Sequence, residues 1–443
     1  MEKIKITKED LSQTKDSIIF VLLFCWLIMP ILLTIKPLYN IFEMKECYFA
    51  LMKIIGGVGI TFSVFNIYDK IKNSKDKKTI LKEILPIFIF ILYMGWTLVA
   101  CHLSPNKQNA FNGHFYRKEG YFMYINYAGY FLCAFLLKDK KLKRILLNTF
   151  VIASIFLISI SRITKSGKEL TDIFINTRID ITVFAQFNHY GYYLMMSAIC
   201  CLGLFLTDKN KIIKVLHLVA YAVIGYATIY NDTFGCYLAV AGILILYGIY
   251  ALIKKADRKD ILIAITIFAI LSCIVTKNNK NLAFNNISQF AFDIKSIVFK
   301  IIGVEGEEVE ENFENAGTTR MQLWINGIKF VSKRPIIGYG PDNLRPYYAE
   351  VNIPQDRPHN LLIYLSAVSG IPGMLIYVTA VGIIVIKGIK RLFSQNREGL
   401  IYLIIIITYL ISAMFANSMY YISPYFFIFL GSLMHCNFAK KEE

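Results

Sequence analysis

Long apolar runs, broken by short clusters of Lys, Asp and Asn, recur along the whole chain. Twelve of them approach the roughly 20 residues that a helix needs to cross a bilayer. They cover residues 18–35, 48–68, 84–101, 121–137, 145–161, 185–206, 212–230, 235–253, 261–276, 359–386, 399–416 and 424–437. The pattern predicts an all-α polytopic membrane protein with about 12 transmembrane helices. We read residues 1–443 as a single integral membrane domain, with one large extracytoplasmic loop at 277–358. Within that loop, Thr319 to Lys333 and the apolar stretch 287–303 look helical. An SGIPG sequence at 369–373 is expected to break the span that follows.

Composition supports this reading. Of the 443 residues 56% are hydrophobic and only 18% charged, and the mean hydropathy is +0.50. A soluble domain is normally about a quarter charged. The net charge of +17 could suggest nucleic acid. Its distribution points instead to the positive-inside rule, because the Lys clusters fall in alternate connections. The segments 69–83, 138–144 and 254–260 are the richest. That places both termini in the cytoplasm and the protein in the cytoplasmic membrane. The nine cysteines form no C-x-x-C pair and read as small apolar fillers, not as metal ligands. The N-terminus reads as a retained first helix.

Charged groups are nearly absent inside the spans, with Lys53 the main exception. A transporter built on an ion relay would carry Asp, Glu or His at the midplane. Polar chemistry gathers instead at the outer ends of the spans. His102, His114, His189 and His359 fall there, and so do Arg117, Arg162, Arg178, Arg320, Arg334, Arg345 and Arg357. Arginine offers a planar fork that fits phosphate oxygens. An outer cluster of Arg and His above an apolar bundle therefore suits a ligand with a phosphate and a lipid tail. Interfacial anchoring is the plainer explanation for any one of these residues.

Several motifs, in chain order, resemble the O-antigen ligase and polysaccharide polymerase superfamily of integral membrane glycosyltransferases. They are Tyr116 to Gly120 (Y-R-x-E-G), Phe184 to Asn188, Arg320 with Trp324 one helical turn on, and the turn Pro335 to Gly340. The pair His359-Asn360 and the break Gly370 to Gly373 complete the set. The stretch 185–188 departs from the family by reading Ala-Gln-Phe-Asn. The resemblance implies glycosyl transfer outside the cytoplasmic membrane, without metal or other cofactor. The donor it implies is a glycan on undecaprenyl diphosphate, and the acceptor is a sugar hydroxyl on a second glycan. Membrane lipid and other polysaccharide assembly proteins are the further expected partners, and nucleic acid is not one. By matching motifs, His359, Arg320 and Arg117 become the expected catalytic residues. Asn188, Asn360, Glu119, Trp324, Gly338 and Gly340 become the expected substrate contacts. The reading preferred is polymerisation of surface polysaccharide repeat units. A ligase that moves a finished glycan to lipid or protein is the first alternative, and a lipid-linked glycan flippase the second.

Overall fold

A computed structural model describes residues 8–438 except for 37, 39–43, 74–75, 166–172, 176–180, 185, 279–287, 289–290, 297, 299, 301–311, 313–315, 318, 416 and 418. Arg178, Ala185 and most of the acidic stretch 304–319 therefore lie outside the described residues, as do both chain ends. Among the described residues the protein is helical, with one isolated bridge between Ile35 and Phe174.

A helix stands at each of the twelve expected positions. In chain order these are α1 (Lys8–Leu32), α2 (Met44–Asn73), α3 (Lys77–His102), the short α4 (Lys107–Asn112), α5 (Tyr121–Leu136) and α6 (Lys140–Lys165). Then follow α7 (Phe187–Thr207), α8 (Lys211–Tyr230), α9 (Phe234–Lys254) and α10 (Arg258–Asn278). The long connection contributes α11 (Arg320–Lys333) and α12 (Arg345–Glu350), and the chain returns through α13 (Leu361–Phe393), α14 (Leu400–Ser412) and α15 (Ser423–Phe438). Asparagines and an aspartate set several starts. Asp76 accepts from the Thr79 amide, Asn210 from Ile212 and Ile213, and Asn360 from Leu362 and Ile363.

Among the described residues nine helices are long and apolar enough to cross a membrane, not twelve. The other three, α5, α14 and α15, have 16, 13 and 16 residues. Their brevity has a physical reason. All three are largely buried among other helices. A helix without lipid contact need not match the bilayer thickness. Helix α5 is gripped through backbone-close contacts. Gly129 lies against Gly56 and Gly59 of α2, and Gly431 of α15 lies against the Phe131 carbonyl.

Ionic groups mark the two ends of the bundle. At one end Lys70 pairs with Glu83, Arg144 with Asp208, Lys214 with Asp260, and Arg397 with Asp257. The other end holds the candidate site. There α13 breaks at Gly370, whose φ is 71°. The loop 335–340 is spliced into the break. Tyr339 and Gly340 donate backbone N–H bonds to the carbonyls of Ala367 and Val368, and Ile371 donates to Pro335. Trp96 of α3 donates its indole N–H to Ser369 at 2.8 Å. The carbonyls freed by the break thus find partners inside the protein, as a broken helix at membrane depth requires.

A Cβ at Gly370 would strike the Ile336 carbonyl, and its φ is unsuited to other residues. Gly370→Ala is expected to cost about 1–3 kcal/mol or more, read as a lowered midpoint of thermal unfolding in detergent. Gly382→Ala, which meets open space, is the control and should unfold like the parent.

Candidate functional site

The segment 113–120 turns the chain from α4 into α5. It does so with Gly113 and Lys118 in the left-handed region, at φ 82° and 55°. This turn delivers Arg117 and Glu119 to the bundle end. Residues 342–360 approach the same place from the other side, ahead of α13. Arg357 joins the two. Its guanidinium, 1% exposed, donates to Glu119 Oε2 at 2.6 Å and to Asp342 Oδ1 at 2.7 Å. It also lies 4.6 Å from the centroid of the Tyr364 ring. The second oxygens of both carboxylates are also occupied. Asp342 Oδ2 accepts from the backbone amides of His114 and Glu119, and Glu119 Oε1 accepts from the Tyr127 and Ser423 hydroxyls. Burial pulls the Arg357 pKa down, but Tyr364 and the carboxylates of Glu119, Asp342 and Asp356 hold it well above the ordinary arginine range.

Arg117 sits beside this core. Its Nε and Nη2 grip Asp356 at 2.7 and 2.8 Å, a bidentate pair, while Nη1 lies 3.9 Å from the Met419 sulfur. Burial pushes the Asp356 carboxyl upward, but the hydrogen bonds and charge of Arg117, with the charge of Arg357, hold it at about 2. Arg320 opens α11, and its guanidinium donates to the carbonyls of Gly317 at 2.8 Å and Phe415 at 3.3 Å. Burial lowers its pKa. Trp324, one turn on, faces the same Phe415 at 6.1 Å between ring centroids.

His359 lies between these groups. Burial lowers its imidazole pKa first, and the charges of Arg320, Arg117 and Arg357 lower it further, against Asp356, to about 4. At neutral pH it is therefore uncharged and able to accept a proton. Its backbone is left-handed, with φ 52°. Lys118, Thr319 and Asp342 share that region and border the same cluster. Backbone strain of this kind collects where a site is held in one geometry. A small hollow nearby is lined by Arg357, Leu361, Tyr364, Tyr192, Tyr409 and the end of α14.

The three residues expected to be catalytic, His359, Arg320 and Arg117, are thus brought together. The expected substrate contacts are placed differently. Glu119 is wholly buried beneath the site as the partner of Arg357. Asn360 caps α13 and donates to the Met414 carbonyl at 3.2 Å. Gly338 and Gly340 serve the splice into α13, with φ of 72° and 83°. Asn188 accepts from Thr233 in the turn between α8 and α9 at 3.4 Å. Its neighbour His189 is paired with the Tyr421 hydroxyl at 2.6 Å. Among the described residues no group of three or more His, Cys, Asp or Glu side chains gathers as metal ligands.

Sequence reasoning did not single out Asp356, Arg357 or Asp342 as site residues. The first two had a signal, since a charged pair stands one proline ahead of His359 at the entry to an apolar span. Asp342 had none, because an Asp after Gly-Pro reads as a turn residue.

Replacing Arg357 would leave two buried carboxylates uncompensated. Arg357→Met is expected to cost about 3–5 kcal/mol, seen as a loss of membrane-resident protein and an earlier thermal transition. Arg345→Ala, at an exposed position, should change neither. Acid should act through the neighbouring groups. The folded pKa of His359 lies below its ordinary 6.5, and that of Asp356 below its ordinary 3.8. Each therefore contributes stability in full above its ordinary value and loses it as pH falls through the folded one. Thermal stability should decline from pH 6.5 towards pH 4, and His359→Gln should flatten that decline.

Residues 219–378 match the family model Wzy_C, described as O-Antigen ligase. No curated protein matches the chain. The matched segment runs from α8 through the break in α13, and it contains Arg320, Trp324, Asp356, Arg357, His359 and Asn360. Through that segment this integral membrane protein is similar to the O-antigen ligase family.

Proposed function

We propose that this protein polymerises surface polysaccharide repeat units at the outer face of the cytoplasmic membrane. In this reading it transfers a glycan from undecaprenyl diphosphate to a sugar hydroxyl. One observation carries the proposal. A neutral imidazole stands among three guanidiniums from separate segments, at the end of the bundle opposite the lysine-rich connections. The positive-inside rule then puts the site outside the cytoplasm.

The chemistry follows from the groups present. The acceptor oxygen attacks the anomeric carbon. The bond from that carbon to the diphosphate oxygen breaks, and the diphosphate leaves with the electron pair. His359 accepts the hydroxyl proton, and the arginines stabilise charge developing on the diphosphate. A bound diphosphate also offsets the cations that depress His359, so its basicity rises as the donor arrives. The description of the matched family favours a ligase as the second reading. The same residues serve it, with lipid or protein supplying the acceptor.

His359→Ala and Arg320→Ala, at unchanged membrane levels, should abolish long-chain surface glycan on gels. Persistence of the ladder would remove both residues from the mechanism. A deletion strain separates the two readings. Single lipid-linked repeats accumulate if a polymerase is lost, and long lipid-linked chains accumulate if a ligase is lost. In the purified enzyme the acid limb of kcat/KM should fall near pH 4, with that of kcat at higher pH.

A further inference from the structure

The mechanism above gives Arg117 a phosphate to bind but gives Asp356 nothing to do. Yet Asp356 controls Arg117 more closely than any other residue. Its two oxygens hold Nε and Nη2 of the guanidinium in a bidentate pair. Such pairing fixes the plane of the fork as well as its position. The Tyr116 ring lies 5.6 Å from the same cation. The remaining nitrogen, Nη1, meets a thioether at 3.9 Å, a weak acceptor. Asp356 cannot easily drift, because Arg357, the next residue, is locked between Glu119 and Asp342. The pair also lies near the rim. The Asp356 side chain is 22% exposed, whereas that of Arg117 is 8% exposed.

We propose that Asp356 is a positioning residue, which holds two nitrogens of Arg117 so that the third, Nη1, is presented to a diphosphate oxygen of the donor. The inference rests on the proposed transfer from a lipid diphosphate and deepens it. Charge alone argues the opposite way. An aspartate near an anion's binding place repels that anion, so neutralising it should tighten binding. Positioning predicts that neutralising it weakens binding, because the guanidinium then turns on its flexible stem. The sign of one measurement therefore separates the two.

The test uses the full-length protein in detergent, with geranylgeranyl diphosphate as the probe and binding read by thermal shift and by intrinsic fluorescence. Asp356→Asn is expected to weaken binding about tenfold, the scale of a lost charge-assisted hydrogen bond. Asp356→Glu keeps the carboxylate and should recover much of the loss. Arg117→Ala should weaken binding at least as far, and Asp356→Asn added to it should cost nothing further. With the natural lipid-linked repeat as donor, Asp356→Asn should raise KM for that donor and also lower kcat, and Asp356→Glu should recover both. Unaltered or tighter binding in Asp356→Asn overturns the proposal, and so does an added loss on top of Arg117→Ala. If Asp356→Asn lowers the unfolding midpoint, Asp356→Glu decides: recovery of stability without recovery of binding overturns the proposal. Failure of the parent protein to bind any polyprenyl diphosphate would instead overturn the donor reading, and this inference with it.

Discussion

The buried bond set around Arg357 is the constraint on which the site depends. A guanidinium removed from water is tolerated only when paired with opposite charge and hydrogen-bonded. Here the pairing draws on two distant segments. Glu119 belongs to the turn into α5, and Asp342 follows the loop spliced into α13. Satisfying one cation therefore fixes the turn that carries Arg117 and the approach that carries Asp356 and His359. The left-handed backbone at Lys118, Asp342 and His359 is affordable because these contacts over-determine it.

The charges nearby are balanced. Arg117, Arg320 and Arg357 face Glu119, Asp342 and Asp356. The arrangement is not a pool of spare cations awaiting an anion. It is a preorganised array whose dipoles and charges already point in set directions, which costs no reorganisation when charge develops. Carboxylate partners hold Arg117 and Arg357 in a poorly solvated place, and Arg320 donates to backbone carbonyls nearby. The imidazole among them still feels net positive charge, because the arginine charges outweigh Asp356.

Much of the fold was legible from hydropathy, because lipid and core impose the same apolar demand on every span. Helices stand at all twelve expected places, and the break at Gly370 follows from Gly and Pro in sequence. The number of full-length spans was not legible. Apolar runs at 121–137, 399–416 and 424–437 look like the rest, yet burial among neighbours frees α5, α14 and α15 from matching the bilayer. In the candidate site, motif spacing pointed to Arg117, Arg320 and His359, which the fold brings near one another. It could not tell that Glu119 and Asn360 are spent on Arg357 and on the α13 cap. Nor could it find Asp342, whose role depends on a contact with a segment over two hundred residues away. Sequence order carries local signals, whereas such pairings exist only after folding.

The short central helices bear on where the reaction can occur. At 1.5 Å per residue, α5 and α15 span only about 24 Å and α14 about 20 Å, against roughly 30 Å of hydrocarbon. The longer α2 packs against α5, and α13 against α14 and α15. A small hollow lined by Tyr409, Ser412 and Ala413 lies at the end of α14. Polar groups can then sit below the membrane surface without touching lipid, because the longer helices screen them. A lipid-borne phosphate would need little lift out of the interface to meet Arg117 and His359, while its tail stayed in hydrocarbon.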